Sequence, residues 1–267
     1  MGHDGRRKRS QYSGGMPPRF TLPSLPTLCA VCRSWADQPV CKACETAYGR
    51  LQPRCPGCAL PLAPGLELCS SCEKKPDHDL STCLARVPYT WPWTEVVGEF
   101  KFRGRPAWAR EMARMMLEIP GVKTWLAGCD GLIPIPLTTH RLVERGYNQS
   151  WELARSIGKS VSVPIHAHFL IRHHTTQLQH RLALNDRERH AARAFAIPPD
   201  LRDRLENRHW ILIDDVMTTG STLRAAARLL MEAGASEVSA LVFARTPAPD
   251  PDNHPQEAPQ ATWVRTA

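Results

Sequence analysis

The apolar positions of this chain fall into short runs and helical stripes separated by polar breaks. Residues 210–216 (WILIDDV) open on an apolar run, residues 211–213, of the kind a buried strand carries. Residues 222–233 have helical periodicity, with Leu223, Ala226, Ala227 and Leu230 on one face and Gly234 placed to stop the helix. A strand is expected at 237–244, another at 131–136, and a helix at 148–157. Such alternation predicts an α/β fold: a mainly parallel sheet with helices on both faces. Ligands of such folds sit at the carboxyl ends of the strands.

The length, 267 residues with 42% hydrophobic, suits one sizeable core plus a small module. The best apolar runs are broken by charge within about a dozen residues, short of the ~20 a membrane span needs. The start, MGHDGRRKRS, is basic, but SGGMPPRF follows it with no apolar stretch, so no secretory signal is read and a cytoplasmic location is expected. Residues 1–25 form an expected disordered basic tail, and residues 248–267 a second tail. The formal charge is +8, and residues 101–193 hold 15 Lys/Arg against 7 Asp/Glu. That excess suits phosphate-rich partners. It equally fits an arginine-rich solvated surface, and a charge count alone does not identify DNA binding.

Eight of the ten cysteines form four C-x-x-C pairs: Cys29/Cys32, Cys41/Cys44, Cys55/Cys58 and Cys69/Cys72. One pair presents two sulfurs to a metal, so two pairs complete a tetrahedral four-cysteine site. The intervening sequence is short and rich in Pro and Gly (RCPGCALPLAPG), so a bound metal is expected to supply folding energy. Structural zinc, two ions, is the reading, over residues 26–76. It would lower the formal charge from +8 to +4. A disulfide framework would need an oxidising compartment, and an iron–sulfur cluster is the other alternative. Sequential pairing is the simplest, and an interleaved one remains open. With four cysteines per ion neither site has an open position, which makes the zinc structural rather than catalytic. Cys83 and Cys129 read as ordinary semi-buried thiols.

The most informative stretch is WILIDDVMTTGSTL, residues 210–223. An apolar strand ends in Asp214 and Asp215, and Thr218, Thr219, Gly220, Ser221 and Thr222 lead into a helix. A helix amino terminus offers unpaired N–H groups and partial positive charge. Gly220 lets backbone approach a ligand, and the hydroxyls add donors to phosphate oxygens. The Walker A pattern is absent. Two carboxylates beside a phosphate cradle make sense if the ligand also carries hydroxyls that need acceptors, as a ribose does. The bland alternative is a strand ending in acids before a Thr-rich cap.

This stretch resembles the PRPP loop of type I phosphoribosyltransferases. The resemblance implies that Asp214 and Asp215 hold the ribose hydroxyls, Thr218 to Thr222 the 5′-phosphate, and that PRPP arrives with Mg²⁺. Other segments are similar to the ComF group of competence proteins, which includes GntX-like proteins. These are the cysteine module itself, IPIPL at 133–137, ERGYNQS at 144–150, FKFRG at 100–104, and Arg172, Thr176, Gln179, Leu182, Arg187 and Phe195 in the group's spacing. His190 and His174 depart from the group's asparagine and arginine, and Tyr147 replaces a phenylalanine. Arg145, Asn148 and Gln149 also fit a polar helix start, and Arg172 and Arg187 fit surface charges. The expected fold is thus a type I phosphoribosyltransferase-like domain over 77–247 behind a double zinc ribbon.

Two functions follow from the resemblance. One is a ComF-type competence protein acting in DNA uptake, with PRPP, single-stranded DNA and other competence proteins as partners. Stacking platforms would serve the DNA, and Trp91, Trp93 and Trp108 are candidates, although tryptophans more often lie in the core. The alternative is an active phosphoribosyltransferase in which Asp214 and Asp215 are catalytic and a nucleobase-like acceptor displaces pyrophosphate. No base-binding hood is recognisable in the sequence, which favours the first reading.

Overall fold

The computed structural model describes residues 26–74, 79–172 and 194–248. Both expected tails lie outside these residues, apart from Ala248, and so do Thr176, Gln179, Leu182, Arg187, His174 and His190.

Four parallel strands form the central sheet: β3 (Cys83–Pro88), β4 (Gly131–Pro134), β7 (His209–Met217) and β8 (Glu237–Arg245). Their order across the sheet is β3-β8-β7-β4. The pairings include Leu84 with Leu241, Ile211 with Ser239 and Leu132 with Ile211. β7 and β8 occupy the middle, which is why their sequences are nearly unbroken apolar runs. β4 stops two residues short of expectation, although Ile135 N still donates to Ile213 O at 3.0 Å. Pro134 and Pro136 have no N–H to extend the ladder.

Alternation along β7 and β8 sends side chains into two cores. Ile211, Ile213, Leu241 and Phe243 face α3 (Trp93–Phe102), α4 (Trp108–Met116), α5 (Val122–Ala127) and α7 (Gln149–Val161). Trp210, Leu212, Val238, Ala240 and Val242 face α8 (Ser221–Glu232), whose Leu223, Ala226, Ala227 and Leu230 are buried as the helical stripe predicted. α8 begins one residue earlier than expected and ends one earlier, with Gly234 at φ 95° just beyond it. Truncating a buried leucine such as Leu230 to alanine costs about 2–5 kcal/mol in cores of this kind.

The cysteine segment carries β1 (Thr27–Leu28), which pairs antiparallel with β2 (Trp35–Ala36), and two short helices, α1 (Lys42–Tyr48) and α2 (Ser70–Glu73). It is divided between the two cores. Cys29, Val40 and Cys44 pack with the four-helix face, whereas Cys55, Cys58 and Cys72 pack with the α8 face. The remaining elements include α6 (Thr139–Arg145), with no buried residue, and the antiparallel pair β5 (Ile171–Arg172) and β6 (Phe195–Ala196). Among the described residues no helix is long and apolar enough to cross a membrane.

Candidate functional site

The carboxyl ends of β4 and β7 and the amino ends of α7 and α8 converge around the acid pair. Asp214 Oδ1 accepts from Ser150 Oγ at 2.8 Å and from the Asp215 backbone N–H at 2.9 Å. Lys101 Nζ, from the FKFRG segment, lies 3.0 Å from Asp215 Oδ1. Burial, then the neighbouring Asp215 charge, pushes the Asp214 carboxyl up to about 7, and the Ser150 and Lys101 contacts oppose that rise. Asp214 therefore takes up or releases its proton near neutrality.

α7 is aimed by its cap. The Asn148 side chain accepts from Ser150 N at 2.9 Å and Trp151 N at 3.4 Å, while its Nδ2 donates to Ile135 O at 3.0 Å. Asn148 is thus a helix start, as its polar character allowed, and one that fixes Ser150 beside Asp214. Arg145 Nη1 donates to Gln149 Oε1 at 3.0 Å. Gln149 is buried, yet among the described residues its Nε2 and Arg145 Nε find no hydrogen-bond partner. Two buried donors left unpaired at the mouth of α7 fit a site that takes a polar ligand. Arg172 donates to Pro136 O at 3.4 Å and lies over the Phe195 ring, half-buried rather than out on the surface.

The hydroxyl loop follows. Thr218 and Thr219 are exposed, and Ser221 and Thr222 partly so. Thr219 Oγ1 and Ser221 Oγ lie 3.1 Å apart, and Arg224 Nη1 donates to Thr219 O at 2.9 Å. Gly220, at φ 82°, is the N-cap of α8 and supplies no side chain to its first-turn N–H groups. A side chain there would be strained, and its Cβ would collide with Met217 Cε. The N-cap glycine adds no side-chain cap, and Thr219 Oγ1 accepts from the Ser221 N–H at 3.4 Å. A twelve-residue helix that begins this way among flanking hydroxyls is suited to an anion, and the adjoining carboxylates to hydroxyls or a hard cation.

The cysteines resolve into Cys29, Cys32, Cys41 and Cys44, and Cys55, Cys58, Cys69 and Cys72; within each group the sulfurs all lie within 4.8 Å of one another. Pairing is therefore sequential. Cys32 and Cys41 sulfurs are 3.7 Å apart and Cys58 and Cys69 sulfurs 3.5 Å. These are far beyond a ~2.05 Å disulfide. They match the ~3.8 Å edge of a tetrahedron with ~2.3 Å Zn–S bonds. Backbone N–H groups of Cys41, Cys44 and Cys69 donate to sulfurs of their own group at 3.3–3.4 Å, which favours thiolates. Each group could hold one zinc ion.

Two of the expected stacking platforms are core instead. Trp93 and Trp108 are buried, donating to Tyr48 O and Glu99 Oε2. Trp91 is exposed but packs edge-on against Tyr48. Phe102, the residue after Lys101, is 68% exposed, with the Arg145 guanidinium 5.2 Å from its ring centroid. Cys83 is fully buried rather than semi-buried, since it belongs to β3. The roles of Ser150 and Lys101 escape sequence reasoning, because both meet the acid pair only through the tertiary fold.

A family profile described as "Phosphoribosyl transferase domain" matches residues 152–266. The DNA utilization protein YhgH of Salmonella typhimurium is 30% identical over 230 residues, covering 85% of this chain and 99% of that protein. Competence protein F of Haemophilus influenzae is 28% identical over 214 residues, 79% of this chain and 92% of the relative. Competence protein ComFC of Bacillus subtilis is 29% identical over 221 residues, 79% and 85%.

Proposed function

Because the chain belongs to the ComF/GntX family of competence and DNA utilization proteins, with a phosphoribosyltransferase domain and an N-terminal double zinc ribbon, we propose that it binds Mg²⁺–PRPP and acts on single-stranded DNA during DNA uptake, in the cytoplasm. One observation carries the PRPP part. The Asp214–Asp215 pair lies near the carboxyl end of β7, and a short connection, residues 218–220, leads from that strand directly to the amino end of α8. Carboxylates accept from ribose hydroxyls, while Thr218, Thr219, Ser221, Thr222 and the α8 N–H groups take the 5′-phosphate. Lys101 holds Asp215 until a ribose or magnesium ion replaces it. Calorimetric titration of Mg²⁺–PRPP tests the reading. Binding that disappears in the Asp214→Ala/Asp215→Ala variant supports it, and no binding by the zinc-loaded wild type overturns it.

The DNA part is supported by the names of the relatives and by Phe102. That ring is exposed next to Lys101 in sequence and under Arg145, and an aromatic face with cations around it is what an unpaired base stacks on. Fluorescence anisotropy with an oligothymidylate should show salt-dependent binding that weakens in Phe102→Ala. Binding that ignores salt and the substitution would remove this part. Pyrophosphate release on adding a nucleobase would instead assign turnover to the same site.

A further inference from the structure

Arg245 closes β8 in the interior of the protein, 6% exposed. Its Nε donates to Cys58 O at 2.7 Å. Its Nη1 donates to Met217 O at 3.3 Å, to Thr246 O at 2.7 Å and to Thr218 O. One guanidinium thus joins the backbone of the second four-cysteine knuckle to the first residue of the hydroxyl loop. A second path runs beside it. Cys83 N donates to Pro56 O, between Cys55 and Cys58, at 2.6 Å, and Cys83 Sγ lies 3.4 Å from Met217 Sδ. Met217 in turn supports Gly220, filling the place a Cβ would need.

The geometry bears on the ligand because of the trans peptide. A carbonyl and the N–H that follows it point to opposite sides of the chain. Holding Thr218 O toward Arg245 therefore turns the Thr219 N–H away from the knuckle. A guanidinium can do this in two directions at once, and an ammonium, a single point, cannot span both partners in the same way.

We infer that Arg245 is a positioning residue that makes the second four-cysteine knuckle the floor of the phosphate loop, so that metal at Cys55, Cys58, Cys69 and Cys72 and phosphate ligand in the loop strengthen each other. The inference rests on the PRPP reading for its ligand. Coupling of this kind is reciprocal: what metal does to ligand affinity, ligand does to metal affinity. The first knuckle has no such connection to the loop among the described residues. Its ion pairs to the rest of the protein run through Glu45, chiefly to Arg86 and Arg114, and through Lys42 to Glu118.

The test uses the full zinc-loaded chain and three measurements. Arg245→Lys should bind Mg²⁺–PRPP about tenfold or more weakly, within the range of measured couplings, while keeping two zinc ions. Hydrogen exchange should show faster exchange at residues 218–222 in that variant without any ligand. In the wild type, which needs no substitution to fold, saturating PRPP should slow chelator extraction of the second zinc and leave the first unchanged. Unchanged PRPP affinity and loop protection in Arg245→Lys, or equal effects of PRPP on both zinc ions, would overturn the inference. If the wild type binds no PRPP, the ligand reading falls by itself. The coupling is then decided by hydrogen exchange: loop protection that survives extraction of the second zinc sinks it.

Discussion

The two four-cysteine knuckles share a C-x-x-C pattern and sit on opposite faces of one sheet, yet they are fastened differently. The first is held by a buried charge cluster, beside carbonyl bonds from Arg86 to Gly49 O and from Trp93 Nε1 to Tyr48 O. Glu45, buried one residue after Cys44, takes Arg86 at 2.6 Å and Arg114 at 3.0 Å, with Glu111 and Glu118 around Arg114. Burial alone would raise the Glu45 carboxyl, but hydrogen bonds from Glu118 and Arg114 and the charges of Arg114 and Arg86 hold it down at about 2. The second is held by backbone carbonyls. Arg54 reaches Ala59 O at 2.8 Å, Arg245 reaches Cys58 O, and Cys83 N reaches Pro56 O. Ion pairs fix a module through side chains that other residues could replace. Bonds to carbonyls fix the path of the chain itself, and a phosphate loop depends on that path.

The largest expected contrast comes from removing one metal at a time. Cys72→Ser at the second knuckle should lower the melting temperature, with a loss of several kcal/mol given the ~10–16 kcal/mol that structural zinc supplies to isolated fingers. It should also abolish PRPP binding. Cys32→Ser at the exposed corner of the first knuckle should release its zinc and leave calorimetric PRPP affinity within a factor of about two, below the usual range of coupling energies. Equal loss of affinity in both variants would break the comparison.

Next in size is the charge cluster. Glu45→Gln takes from the buried Arg86 its charged partner at 2.6 Å, while Arg114 keeps Glu111 and Glu118, and should cost about 3–5 kcal/mol by denaturant titration, the penalty for breaking a buried pair. PRPP affinity at temperatures below the transition should not move. The same carboxylate gives the first knuckle an acid limit. Because its folded value lies below the unfolded value of 4.5, its stabilisation is complete above that value and is lost as pH falls towards about 2. Glu45→Gln should flatten that part of a pH–stability curve.

Asp214 supplies the opposite sign on the ligand side. Its folded value is raised to about 7 from 3.8, so the stability it contributes is complete below 3.8 and is lost as pH rises through about 7. Asp214→Asn should therefore be more stable than wild type at pH above about 7 while binding PRPP more weakly by about 10–100-fold, the worth of hydrogen bonds to a charged group. Wild-type affinity should rise as pH is raised through the Asp214 value of about 7. The smallest effect is expected from Cys83→Ala, about 1 kcal/mol of stability for the lost packing against Met217, with a slight loss of PRPP affinity. Burial pushes the Cys83 thiol up to about 12, so alkylating reagents should spare it in the folded protein.

Much of the sheet is legible in the sequence because its middle strands are buried on both faces. The run at 211–213 and the stripe of Leu223, Ala226, Ala227 and Leu230 each announce one element, and β7, α8 and β8 fall within a residue of expectation. β3 is not legible in this way. It carries Arg86 in its centre, and a buried guanidinium serving Glu45 and Gly49 looks like a break in an apolar run. The methionine-rich α4 is equally hidden, and its Met112, Met115 and Met116 prove to be core. At the site, the local loop is plain in the sequence, but its supports are not. Ser150 lies 64 residues from Asp214, and Arg245 lies 187 from Cys58. No periodicity or spacing rule spans such distances.

Where the sheet ends in β3, the Cys83 N–H points away from β8 and is taken by Pro56 of the second knuckle. At the far side of the sheet, Leu132 of β4 exchanges bonds with the segment at Pro164 and His166. An outer strand with free N–H and carbonyl groups is a template on which another chain can add a strand. The second knuckle thus also shields the start of that edge, and a chain stripped of its metal is expected to self-associate more readily, seen as added light scattering below the melting temperature.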